Sequence, residues 1–386
     1  MNNCRRHIAP WMFAVLLLAS LFMGCERKDL YLAQRGTLSI DVSVYDIQLD
    51  LLWGVEWQTK WQYMWDESLY GSIGYTEPSG VRANVYAINQ INQRVKYTTR
   101  NFSKDGGKVS LTTNSTYDMV FYNNDTEYIL FATDDSTYYY ATTRGNSRAP
   151  YTRSFANYNQ PDQLFGTYLH DLYVTDDPEA YEKEIMADGS ILYVFDVDAS
   201  LTPYTYIYLC QVMLLNNEDE MGTRVNGAEG LTLSGLAGGV DLFTRMTDST
   251  HVVAITQDDV KPLLKERTLH LPDGTTTKGD IFAARVMTWG IPGVDPLEHT
   301  FTRQPIQTNN PINMAVGLKL RNGSVYTIET DVTEQLKQSP AGGVITLVID
   351  AGEIPDSVIG GKPKPGGGFD ASVDNWENEI EADIII

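Results

Sequence analysis

Thr37-Leu38-Ser39-Ile40-Asp41-Val42-Ser43-Val44-Tyr45 alternates without a break. Leu38, Ile40, Val42 and Val44 fall on one side of an extended chain, and Ser39, Asp41 and Ser43 on the other. Successive side chains of a strand point to opposite faces, so this stretch predicts a strand with one buried and one wet face. Residues 81–88, 108–112, 117–122 and 127–132 read as further short strands. Gly106-Gly107 and Asn123-Asn124-Asp125 punctuate them as turns. The composition agrees: 23 Tyr stand against 12 Phe, and Tyr- and Thr-rich segments suit a pleated, half-buried surface. Short strands at this spacing predict a mainly β fold of antiparallel sandwiches.

A polar stretch with Gly145, Asn146, Pro150, Asn157, Asn159 and Pro161 follows, and the expected domain break lies within it. The N-terminal sandwich is placed at residues 37–150 and the C-terminal one at 151–359. Residues 191–197 and 204–215 are the strongest strands of the second block. Residues 267–271, 279–289, 311–320, 324–330 and 344–349 continue it. Asn322-Gly323 is a two-residue hairpin signal. Residues 332–338 suit one helical turn, with Thr333 as its N-cap. Residues 360–368 combine Gly and Pro as a linker, and 369–386 read as a last strand.

Upstream of residue 37 the chain reads as an export signal. Arg5 and Arg6 open it, residues 11–23 are apolar apart from Ser20, and Gly24-Cys25 ends the run. The apolar run is shorter than the roughly 20 residues that span a bilayer. Cleavage before Cys25 would remove residues 1–24 and leave 25–36 as a tether. Of 386 residues 362 would remain, and loss of two arginines would take the net charge from −21 to −23. So acidic a surface repels nucleic acid, which is excluded as a partner. Of three cysteines, Cys4 would leave with the signal and Cys25 would carry lipid. Cys210 then has no disulfide partner, and its apolar neighbours predict a small buried side chain.

Catalytic chemistry is hard to find. Neither a His-Glu-x-x-His pair, a phosphate-binding glycine loop nor a Cys-x-x-Cys pair occurs. His170, His251, His270 and His299 lie far apart, and no metal site or cofactor is expected. Carboxylates are numerous, which leaves a two-carboxylate hydrolase open on sequence grounds. Asp134-Asp135 and residues 216–220 lack the alternating ligands of a calcium loop and read as solvated turns. Trp53, Trp57, Trp61 and Trp65 recur every fourth residue. That spacing makes a stripe on a strand or a helix. The rings would form a platform for sugar rings or a partner, or else fill a core or cover its end.

Several segments together carry a resemblance. Leu21-Phe22-Met23-Gly24-Cys25 is similar to the lipobox of bacterial lipoproteins, with Phe22 bulkier than the residue usual there. Cys25-Glu26-Arg27-Lys28-Asp29-Leu30 follows it. Then come Tyr117-Asp118-Met119-Val120-Phe121-Tyr122-Asn123-Asn124-Asp125-Thr126-Glu127 and Gln160-Pro161-Asp162-Gln163-Leu164-Phe165-Gly166. Leu231-Thr232-Leu233-Ser234-Gly235-Leu236-Ala237-Gly238-Gly239-Val240 and residues 367–386 complete the series. In this order and spacing the chain resembles the fimbrillin-like lipoproteins of Bacteroidetes, in particular a family labelled as a domain of unknown function. The tryptophan-rich insertion is longer than that family leads one to expect.

The resemblance implies two tandem transthyretin-like β-sandwiches and a non-enzymatic role in fimbria-like assemblies or adhesion. It further implies an outer-membrane, surface-exposed location through lipid on Cys25. The last strand, 369–386, is expected to pair within its own C-terminal domain, with donation to a fimbrial subunit by strand addition as the alternative. The alternative is a glycan-binding surface lipoprotein using Trp53, Trp57, Trp61 and Trp65. Ser136, Ser249 and Ser357 each follow Asp, similar to the O-glycan acceptor pattern of exported Bacteroidetes proteins.

Overall fold

The computed structural model describes residues 36–44, 57–134, 137–152 and 155–360, with side chains at 36 and 41–44 left aside. The signal 1–24, Cys25 and its tether, Trp53, Ser136, the linker from 361 and the strand 369–386 lie outside the described residues.

The N-terminal half runs through β1 (Gly36–Val44), β2 (Gly80–Ile88), β3 (Arg94–Ser103), β4 (Gly107–Leu111), β5 (Ser115–Asn123), β6 (Leu130–Thr133), β7 (Tyr139–Thr142), β8 (Asn157–Tyr158), β9 (Phe165–Val174), β10 (Glu182–Ile185) and β11 (Ile191–Pro203). One layer is β4-β1-β11-β10 and the other β3-β2-β5-β9. The long strand β11 belongs to both, since its last residues, Thr202 and Pro203, pair with Gly166 and Phe165 of β9. Leu38, Ile40, Val109, Val197 and Leu201 of the first layer share one buried cluster with Val81, Val85, Met119 and Phe121 of the second. The alternation read at residues 37–40 thus has its expected outcome: Leu38 and Ile40 are buried and Ser39 is half-buried.

The C-terminal half comprises β12 (Tyr206–Leu215), β13 (Glu218–Asp219), β14 (Gly222–Thr223), β15 (Val225–Ala237), β16 (Gly239–Asp241), β17 (Val252–Gln257), β18 (Leu264–His270), β19 (Thr276–Thr288), β20 (Asn313–Leu320), β21 (Val325–Asp331) and β22 (Gly343–Asp350). Sheet β18-β19-β12-β22 and sheet β21-β20-β15-β17-β8 share the largest apolar cluster. Strand geometry divides β12 between two environments. Cys210, Val212 and Leu214 enter that cluster, while Met213 joins a smaller one on the opposite face. Cys210 is fully buried, and burial pushes its thiol pKa up, so it packs as a small apolar group.

A third cluster joins the halves. Val120 and Tyr122 of β5 turn away from the first core and meet Leu164, Tyr204, Val240, Leu242, Phe243 and Trp289. Strands β6 and β7 complete it by pairing with β16.

Four expectations need correction. Strand pairing is more interleaved than one break at residue 150: β6 and β7 pair with β16 and β8 joins the C-terminal sheet, β9, β10 and β11 then belong with the N-terminal layers, and the chain crosses again between Pro203 and Tyr206. The pairing is not wholly antiparallel either, since β1·β11, β12·β22 and β17·β8 are parallel. Alternation encodes which face is buried and says nothing of direction, and parallel partners need long crossovers that no turn motif announces. Thr333 is not the N-cap of Thr333–Gln338: it is the first helical residue, its hydroxyl accepts from Ile312 N–H (2.8 Å), and Asp331 accepts from its N–H (2.8 Å). At Asn322-Gly323 a hairpin forms, but not with the two-residue turn expected. Only Gly323 takes positive φ (85°), and Leu320 N–H bonds Ser324 O (2.8 Å), giving a three-residue loop.

The β13–β14 turn carries a pH-dependent tie. Asp219 accepts from Arg321 Nη1 (2.7 Å) and Arg224 Nη1 (2.8 Å), and Arg224 also donates to Ala351 O and Ile354 O. The hydrogen bond from Arg321 leads the effects that hold the Asp219 carboxyl down to about 2. A folded-state pKa below the usual ~3.9 contributes stability that is present above pH ~4 and lost as pH falls through the folded value. The gap in melting temperature between wild type and Asp219→Asn is therefore expected to be constant from neutral pH to about 4 and to close toward pH 2. A gap that does not change over that range would sink the assignment.

Candidate functional site

The tryptophan-rich segment has the most unusual local chemistry. It opens as the short helix Trp57–Lys60, passes Trp61, Tyr63 and Trp65, and forms a second turn, Glu67–Tyr70. Asp66 caps that turn, accepting from Ser68 N–H (3.0 Å) and Ser68 Oγ (2.6 Å). The segment lies across the outer face of sheet β18-β19-β12-β22. Trp61 and Trp65 pack on Met213, Leu269, Ile281 and Ala283, with Tyr63 buried among them. Trp57 and Trp61 also reach the main C-terminal core.

Polar groups fix the segment in register. Gln211, fully buried on β12, donates to Lys60 O (2.6 Å) and Thr346 Oγ1 (2.8 Å) and accepts from Gln62 N–H (2.9 Å). The Gln62 side chain in turn donates to His270 O and accepts from His270 N–H, both at 2.8 Å. It thus occupies both backbone groups of one residue on edge strand β18. Gln335 does the same at the opposite edge, bonding Thr346 N–H (2.8 Å) and O (3.0 Å) on β22. Unpaired edges invite pairing with other chains, and here one amide blunts each edge.

The rings have protein partners. Trp65 Nε1 donates to Gly71 O (3.0 Å), and its ring meets Tyr70 edge-on at 5.5 Å. Lys261, itself buried, sets its ammonium 5.2 Å from the Trp65 centroid and 4.4 Å from that of Tyr70. Trp57, Trp61 and Trp65 are each half-buried. The structure therefore brings these three together on one sheet face. Gln211, Gln62 and Lys261, which hold the segment there, have no motif that sequence reasoning could have used.

A polar cleft of about 330 Å³ lies where the halves meet, lined by Thr76, Asp125, Gln160, Asp162, Gln163 and Arg285 among others. Its polar groups already serve the backbone. Asp162 accepts from Glu127 N–H and Tyr128 N–H (both 2.6 Å), and Gln160 accepts from Met287 N–H (3.0 Å). Arg285 donates to Ile73 O (2.9 Å) and Gly74 O (3.2 Å), and burial pulls its pKa down. The Gln160–Gly166 motif is thus a seam between the halves.

Further back along β5, Asp118 accepts from Arg94 Nε (2.6 Å), Asp171 N–H (2.9 Å) and Tyr168 Oη (2.5 Å). Burial alone would raise its pKa, but these donors together hold it below the usual carboxylate range. Phe243 lies against the Arg94 guanidinium at 4.2 Å.

His170, His251, His270 and His299 stay apart, as their separation suggested: they contact Asp171, Tyr158, Thr276 and Gln304 respectively. Among the described residues no three His, Cys, Asp or Glu side chains are grouped to hold a metal ion. Nor is any described helix long and apolar enough to cross a membrane. Ser249 and Ser357 are exposed. The acids before them are engaged: Asp248 accepts from Thr250 and His251 N–H, and Asp356 pairs with Arg224 (3.0 Å).

Residues 70–254 match a family model described as a domain of unknown function, DUF5119. No curated protein matches the sequence. Among solved structures, the chain is similar to a candidate adhesin from Bacteroides ovatus at 17% identity, over 86% of this chain and 99% of that one, with a TM-score of 0.46. The fimbrial anchor protein Mfa2 from Porphyromonas gingivalis is 10% identical, over 81% of this chain and 90% of that one, with a TM-score of 0.36. A fimbrial assembly protein from Parabacteroides distasonis is 10% identical, over 83% and 92%, with a TM-score of 0.31. The family match begins at residue 70, so Trp53, Trp57, Trp61 and Trp65 lie outside it. The chain is similar to the DUF5119 family over residues 70–254.

Proposed function

We propose that this chain is a lipid-anchored cell-surface protein of fimbrillin type, non-enzymatic, which anchors or builds fimbria-like assemblies or acts in adhesion. The observation that carries the reading is the ordered series of fimbrillin-like segments from Cys25 to Ile386, with the DUF5119 match at its centre. In this reading the halves are tandem transthyretin-like sandwiches, 37–203 and 204–359. Two layers around one buried cluster in each half support that division. Lipid on Cys25 would hold the chain at the outer membrane. One acyl chain binds only marginally, whereas the several carried by a lipoprotein cysteine hold firmly. Cys25→Ser is expected to move the protein from the membrane to the soluble fraction, read by fractionation. A variant that stays in the membrane would refute the anchor.

Strand addition to a neighbour would use the segment 369–386. Support comes from the position of Gly360. Asn322, at the turn into β21, donates to Val358 O (2.9 Å), so Gly360 lies beside the start of that edge strand. Tyr326 and Ile328 on β21 are only half-buried, and no described strand pairs with its outer edge. Deleting residues 369–386 is expected to leave a folded protein that no longer enters assemblies if the strand is donated. Loss of folding would instead make it an intrinsic strand, and normal folding with normal assembly would exclude both.

A further inference from the structure

We infer that the β10–β11 hairpin tip is a membrane-contacting finger set beside the anchored end of the chain. The inference rests on the reading of Cys25 as the lipid anchor. Strand β1 enters the fold at Gly36 and runs parallel to β11, with Thr37 opposite Val194. The hairpin continues from that level past the Ile185–Ile191 pair to a turn closed by Met186 N–H to Ser190 O (2.8 Å). The chain ahead of Gly36 therefore leaves the sheet on the side of the tip. Ile191 lies three residues beyond Val194, about 10 Å along the strand. The eleven residues from Cys25 to residue 35 span at most about 36 Å when extended, so the tip falls within reach of the lipid they would carry.

The chemistry of the tip fits that surface. Ile185 is 80% exposed, Ile191 54% and Met186 45%, which puts apolar groups where a turn is ordinarily polar. Phe195 on β11 and Tyr173 on β9 of the other layer are also exposed. Tyr173 is held at the same end by its hydroxyl, which donates to Asn114 (2.8 Å) in the turn next to Leu111, the partner of Gly36. Aromatic rings with one polar end settle at the headgroup level, beside aliphatic groups that go deeper. The formal charges on the hairpin are mostly acidic: Glu182, Glu184 and Asp188 against Lys183. No basic patch recruits anionic headgroups, so the matching surface is a zwitterionic leaflet approached through apolar contact.

The test uses the full chain purified from its membrane and reconstituted in phosphatidylcholine vesicles containing a nitroxide lipid. Ala187→Cys, in the exposed turn, is labelled with an environment-sensitive dye. Cys210 is fully buried, so labelling is selective on acylated protein. The emission at position 187 is expected to shift to the blue and fall about twofold, as for a group held 5–10 Å inside the headgroup boundary. A label at Thr275→Cys in the C-terminal half is expected to be unaffected. Adding Ile185→Ser and Ile191→Ser should abolish quenching while the protein still floats with the vesicles. Flotation without quenching at position 187 overturns the finger and leaves the Cys25 anchor standing. Failure to float overturns the anchor and the finger with it. Self-quenching between labelled tips, in place of quenching by lipid, assigns the tip to a protein contact and likewise overturns the proposal.

Discussion

Replacing Arg245 by alanine is expected to lower the stability of the protein by about 2–4 kcal/mol, somewhat less than the cost of removing one partner from a wholly buried charge pair, because the Arg245 side chain is 20% exposed. Arg245 sits where the chain crosses between the halves. Its Nη1 donates to Thr202 Oγ1 (2.6 Å), Nη2 to Pro203 O (2.8 Å) and Nε to Asp295 Oδ2 (3.1 Å). The guanidinium also lies 4.4 Å from the Tyr204 ring centroid. Asp295 is nearly buried and caps the helix Pro296–Thr302 through Leu297 N–H (3.0 Å) and Glu298 N–H (3.3 Å). Alanine would leave that carboxylate without its cation and Thr202 Oγ1 without its donor, while Pro203 O would keep only the longer bond from Tyr206 Oη (3.2 Å). Against a typical total of 5–15 kcal/mol the loss is large. Arg245→Lys keeps the charge but not the fork of donors, and should recover less than half of the loss. The measurement is the urea midpoint of both variants, together with hydrogen exchange around residues 203–206. An unchanged midpoint would show that the aromatic cluster alone joins the halves.

How far the sequence foretold this molecule depends on which physical signal each element leaves. Alternation exposes a strand whose two faces meet different solvents, and residues 38–40 show it; residues 343–350 alternate in burial although 344–349 read as one continuous apolar run. Strand β5 was also foreseen, yet its alternation is hidden: every residue from Tyr117 to Asn123 is buried, because Met119 and Phe121 enter one core and Val120 and Tyr122 another. Strand β3, between them in sequence, was missed because charge and amide groups, Arg94, Lys96, Arg100 and Asn101, mask its pattern at a largely exposed edge. The tyrosine-rich composition signalled strands but not how deep the rings lie. Tyr204, Tyr206 and Tyr208 are fully buried because each hydroxyl finds a backbone carbonyl, of Leu242, Pro203 and Pro340 respectively. The displaced boundary has the same root. The polar run before residue 163 resembles a linker in composition, but Gln160 and Asp162 spend their polar groups on backbone partners at the seam, and Asn157 spends its own on the side chains of Asn146 and Thr256. Composition cannot tell a solvated amide from one that bridges two sheets.

Gln211→Ala should release the tryptophan segment from its sheet, and it separates covering from binding as the segment's role. The amide is fully buried at the centre of β12 and makes three hydrogen bonds, two of them to the backbone at Lys60 and Gln62. A buried backbone group stranded by loss of its partner costs about 1–3 kcal/mol, so two such groups put the expected destabilisation at about 2–4 kcal/mol, allowing for access of water. The side chain of Gln62 would lose its alignment on His270, and the edge of β18 would lose its block. Trp57, Trp61 and Trp65 would then gain solvent, seen as a red shift of tryptophan emission, and amides of residues 57–75 would exchange faster. Gln211→Glu offers a control, because it keeps the acceptor for Gln62 N–H while losing the donor to Lys60 O. If the rings form a glycan platform, binding in a glycan array should fall in step with the red shift, since the sheet sets their spacing. If they only cover the sheet, stability falls and nothing is bound before or after. Unchanged emission and an unchanged midpoint would show that the segment is held without Gln211, by the apolar contacts of Trp61, Tyr63 and Trp65 and the remaining bonds of Gln62 and Tyr63.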